Sequence, residues 1–88
     1  MIKYYLKVVA SVTDDNPIKF SDRTEYYGNR ETYLSSYCTP SVDTLELYGF
    51  GSYKAAENKK NQMEKQFARD FEKFHTFNHT IEIMSEEI

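Results

Sequence analysis

The chain has no tryptophan, one cysteine, two prolines and three glycines in its 88 residues. A single thiol, Cys38, cannot close an internal disulfide, which fits a reducing compartment and a cytoplasmic setting. So little glycine and proline excludes a fibrous or low-complexity chain. No apolar run approaches the roughly 18–20 residues that cross a bilayer, so no membrane partner is expected. The opening Met1-Ile2-Lys3-Tyr4-Tyr5-Leu6 lacks the basic stretch and short apolar block of a signal peptide. A basic excess is missing too. Eleven Lys and Arg stand against 14 Asp and Glu, a net charge of −3, so nothing global draws the chain to nucleic acid or anionic lipid.

Catalytic patterns are equally scarce. The chain has neither a dinucleotide-binding glycine motif nor a phosphate loop. It has no serine elbow and no acid pair in an apolar setting. His75 and His79 stand four apart, but Asn78 falls between them as a helix stop, and structural zinc needs four placed ligands. Cys38 beside Thr39-Pro40 has no local base to activate it and reads as a small buried residue. The expectation is a protein that is not an enzyme and carries no cofactor and no metal.

What is present begins with a strand. Ile2, Tyr4, Leu6, Val8, Ala10 and Val12 alternate with Lys3, Tyr5, Lys7, Val9, Ser11 and Thr13, the period-2 pattern of a strand with one buried face. Asn16-Pro17 closes that segment. From Ser52, a plausible N-cap, to about residue 76 the pattern is helical. Tyr53, Ala56, Lys60, Met63, Phe67, Phe71 and Phe74 recur at spacings of three and four on one face. Residues 43–48 alternate, with Leu45 and Leu47 on one side, and so do residues 79–84, with Ile81 and Ile83; both read as short strands. The acidic end, Ser85-Glu86-Glu87-Ile88, reads as frayed.

Residues 18–42 are the least legible. Gly28-Asn29 reads as a two-residue hairpin turn between residues 24–27 and 30–34, with a short helix from Asn29 to about Tyr37 as the competing reading. Thr and Tyr favour strands, so the hairpin is preferred. The fold class expected is a single α+β domain over residues 1–88, a mainly antiparallel sheet of four or five strands packed on one long amphipathic helix. Its last strand has the option of a parallel, right-handed crossover. The expected core is Ile2, Tyr4, Leu6, Val8, Ala10, Val12, Leu45, Leu47, Ala56, Met63, Phe67, Phe71, Phe74, Ile81 and Ile83.

Function is read from the eight tyrosines. Tyr26, Tyr27, Tyr33 and Tyr37 sit among Ser, Gly and Asn, the composition of binding loops, because tyrosine offers a rigid contact surface with a polar tip. Glu25, Glu31 and Asp43 are their charged neighbours, and residues 21–51 sum to −3, a sign that opposes nucleic acid. The leading expectation is a non-enzymatic module that binds another protein. An inhibitor occluding a host macromolecule, in the style of small phage or mobile-element proteins, is one such module. The alternative is a small-ligand or nucleotide binder, compatible with a homodimer. It would use Gly49, Gly51 and Ser52 at the helix start, with Tyr53 stacking on a base.

Overall fold

Strand β1, Ile2–Val12, is paired along both sides. In a computed structural model, which describes residues 1–12, 23–29, 33–35, 38–74 and 77–88, the chain is α+β with an antiparallel sheet. Its remaining elements are β2 Arg23–Tyr27, β3 Tyr33–Ser35, α1 Val42–Tyr48, α2 Tyr53–Phe74 and β4 Phe77–Glu87. The sheet runs in the order β3-β2-β1-β4. β4 pairs antiparallel with the whole of β1, from Ile2 opposite Glu87 to Val12 opposite Phe77, with no slip.

The even residues of β1 face α2. Leu6 and Val8 are buried there with Ala56 and Met63 of α2, Ile81 of β4 and Phe50, and Tyr4, Tyr27, Phe67 and Ile83 pack around them. Ser52 caps α2 by accepting the Ala55 amide at 3.2 Å, so the helix starts where the sequence places it. Phe50 enters the core because its backbone forms an antiparallel bridge to Tyr4, with bonds of 2.7 and 3.0 Å in the two directions. β2 ends opposite Leu6, and Phe50 supplies the hydrogen bonds that Tyr4 would otherwise lack on that side.

Several expectations are corrected. Residues 43–48 are helical, because Pro40-Ser41 precedes them and the Ser41 hydroxyl accepts the Thr44 amide at 3.2 Å. Helical geometry separates Leu45, buried to 1%, from Leu47, 70% exposed, where a strand would have kept them together. Two helices therefore stand where one was expected. The crossover is also absent: β4 is antiparallel to β1, Asn78 is a strand residue opposite Ser11, and the C-terminal segment is held in the sheet to Glu87. Ile2 and Phe71 are exposed at 47% and 37%, being at the sheet's end and on the helix flank, so neither is core. The side chains of Val12 and Phe74 lie outside the described ones. β2 and β3 pair antiparallel with Tyr27 opposite Tyr33, and the reading of a two-residue Gly28-Asn29 turn reaches residues 30–32, which lie outside the described ones.

The sheet has a second, smaller layer. Tyr5, an odd residue of β1, is as buried as Leu45, and both lie outside the α2 core. α1 packs on β1, and a Cβ at Gly49 would stand 3.1 Å from the Cβ of Lys3, another odd residue. The same atom would be 2.5 Å from the Leu45 carbonyl, so only glycine lets the end of α1 come this close. α1 therefore covers the odd face at one end of β1. The two leucines of α1 test this: Leu45→Ala is expected to cost about 2–5 kcal/mol in chemical denaturation and Leu47→Ala under about 0.5 kcal/mol. Equal losses would restore the strand.

Candidate functional site

Strand geometry divides the tyrosines. Tyr27 lies opposite Leu6 and Tyr26 opposite Lys7, so consecutive tyrosines project to opposite faces of the sheet. Tyr26 stands beside Tyr5, ring centroids 5.9 Å apart, on the α1 side. Burial raises the Tyr5 hydroxyl above its ordinary pKa, and the neighbouring Glu86 carboxylate adds to the effect. Tyr27 packs against the core beneath α2. Tyr33 is its register partner on β3, behind an irregularity between Tyr26 and Tyr27. Tyr37 and Glu31 lie outside the described residues. Asp43 is exposed in the first turn of α1. Of the expected surface, then, the structure brings together Glu25, Tyr27 and the Tyr33 backbone position.

Glu25 is better described as a support for Tyr27 than as a free acidic contact. Its Oε2 accepts the Tyr27 hydroxyl at 2.6 Å, and its Oε1 pairs with Arg23 Nε at 2.6 Å. Arg23, Glu25 and Tyr27 are spaced by two along β2 and so share the α2 face. A carboxylate held from both sides keeps the phenol in one orientation.

Beyond Tyr27 a groove of about 600 Å³ opens along the flank of α2. Its described lining carries the cations Lys59, Lys65 and Arg69 and the carboxamides Asn58, Asn61, Gln62 and Gln66, with Met63 at the core side. Polar residues such as these are what a solvent-facing helix flank ordinarily carries. Only the docking of α2 on the sheet puts it beside Tyr27.

The Gly49–Ser52 junction spends part of its backbone on bonds within the chain. The Gly49 amide donates to the Leu45 carbonyl at 2.8 Å and the Phe50 amide to Tyr4 at 2.7 Å. The Ala55 and Ala56 amides are taken by the side chain and carbonyl of Ser52 at 3.2 and 3.3 Å. Gly51 and Ser52 are exposed, and Tyr53 meets Tyr4 edge to face at 5.9 Å.

His79 is placed on β4, off the helix, stacked on Phe67 with ring centroids 3.9 Å apart and planes 6° apart. His75 lies outside the described residues. Cys38 is exposed, which corrects the reading of it as buried; it follows β3 in a loop segment, away from the core. Among the described residues no three His, Cys, Asp or Glu side chains come together to hold a metal, and no helix is long and apolar enough to cross a membrane. Comparison with protein family models, with curated proteins and with solved structures finds no match to this chain.

The His79 Nδ1 atom is buried without a hydrogen-bond partner, and desolvation lowers its pKa below the ordinary 6.5, against smaller opposing pulls from Asp70 and Glu25. A depressed histidine favours the unfolded state once that state binds the proton. Its contribution to stability is full above about pH 6.5 and is lost as the pH falls below that value. His79→Phe keeps a stacked ring and removes the titration. Urea midpoints between pH 7.5 and 5 are expected to fall less for this variant than for wild type; parallel curves would contradict the assignment.

Proposed function

We propose that this protein is a non-enzymatic binding module whose partner is another protein, contacted through Tyr27 and the groove along α2. The observation that carries this reading is the composition of that groove around a phenol held in place by Glu25. Four carboxamides offer both donors and acceptors, as a polypeptide backbone does, whereas a phosphate chain only accepts. Three cations favour carboxylates on the partner and would steer its approach. A volume of about 600 Å³ is that of a concave site able to seat a few side chains. Occlusion of the partner's own working surface, the action of an inhibitor, belongs to this proposal.

Relative to the sequence reading, the contact surface moves from a mildly acidic tyrosine patch to one side of the sheet. Tyr27 stays in it, and Tyr26 faces the other way. Glu25 orients the contact residue and is not itself the contact. The small-ligand alternative at Gly49–Ser52 would rest on Gly51, Ser52 and Tyr53, since the Gly49 and Phe50 amides are bonded within the chain.

Lys65 and Arg69 are exposed, so reversing their charge leaves the core alone. In affinity capture from cell lysate, a partner retained by wild type and by Leu47→Ala is expected to fall at least tenfold with Lys65→Glu/Arg69→Glu. Circular dichroism serves to show that all three are folded. A partner held equally by the double variant would overturn the placement.

A further inference from the structure

The two edges of the sheet are unlike. β3 is three residues long and joins β2 through an irregular register, which are two of the ways natural sheets blunt an edge. β4 is eleven residues long, without a register shift, proline, lysine or arginine. It has β1 on one side and, among the described residues, no strand on the other.

The direction of its backbone groups follows from two hydrogen bonds. The Ile88 amide donates to the Met1 carbonyl at 2.8 Å, so even residues of β4 point their amides at β1. Tyr4 spends its own backbone groups on Phe50, on the opposite side of β1, so its register partner Ser85 makes no bond to β1. Both observations agree. The amides and carbonyls of His79, Ile81, Ile83, Ser85 and Glu87 point outward from the sheet.

We infer that the β4 edge is the site at which a second copy of this chain adds, forming an antiparallel, twofold-symmetric continuation of the sheet. Charge distinguishes two neighbouring registers. A twofold axis at Glu82 would set that carboxylate against its own copy. An axis at Ile83 sets Glu82 against Met84, Glu86 against Thr80 and Glu87 against His79, so each glutamate in the paired segment meets a residue that is not acidic. On the α2 side of the edge a groove of about 370 Å³ lies between Glu64, Phe67, Ala68 and Phe71 on the helix and Asn78 and His79 on β4. Side chains of the added strand that face α2 would project over it. Association is expected to stop at two copies, because among the described residues the other edge is the short, irregular β3.

Sedimentation and amide hydrogen exchange of the full chain, measured from micromolar to millimolar concentration, test this. The expected result is a monomer–dimer equilibrium in which the amides of His79, Ile81, Ile83 and Ser85 slow at least tenfold as the dimer forms, while those of Thr80, Glu82 and Met84 are slow throughout. Ser85→Pro removes an outward amide from an exposed position of an edge strand, where proline is tolerated. It should weaken dimerisation at least tenfold while the circular dichroism spectrum is kept. A monomer at all concentrations with fast exchange at the odd positions would overturn the inference. So would a dimer whose odd-position amides stay fast, or one indifferent to a folded Ser85→Pro variant.

Discussion

Every layer of this protein is registered on β1. It is paired with β2 on one side and β4 on the other, and β4 follows it from end to end. Because successive side chains of a strand leave in opposite directions, β1 specifies two packing surfaces at once. Leu6 and Val8 receive α2; Tyr5 faces the side covered by α1. A slip of one residue would exchange these sets, burying Lys7 beneath α2 and exposing Leu6. The close approach of Gly49 to Lys3 and the Phe50–Tyr4 bridge fix the same register from the side of α1.

The elements that could be read from the residues were those in which local and global preferences agree. β1 alternates over its whole length, and α2 combines a serine cap with a largely apolar stripe in which Lys60 is the polar member. Residues 42–48 were illegible because a seven-residue helix and a short strand both accommodate two leucines one residue apart. The cap at Ser41 decided it, and that signal was present in Pro40-Ser41-Val42-Asp43. Phe50 and Tyr5 were missed as core for another reason. The first is buried by a bridge that closes only in three dimensions, and the second by a helix that the strand reading of residues 43–48 had removed.

The candidate site was legible in part and for the same reasons. The tyrosine-rich segment does supply Tyr27, but composition carries no information about face. Pairing β2 with β1 sends Tyr26 and Tyr27 apart and turns Glu25 inward to hold the latter. The groove residues on α2, Asn58 to Arg69, are far from Tyr27 in sequence, and polar helix residues do not announce what stands opposite them. The proposed contact with a polypeptide rests on this surface of a supported phenol, carboxamides and cations.

Native-state hydrogen exchange of the β1 backbone tests the central role of that strand most directly. Leu6 to Ala10 have partners on both β2 and β4, so their amides should open only with global unfolding and be among the slowest in the chain. Those of α1 and β3 should exchange faster, through local opening. β1 amides that exchange as readily as those of α1 would contradict the account, because the two layers would then not depend on this strand.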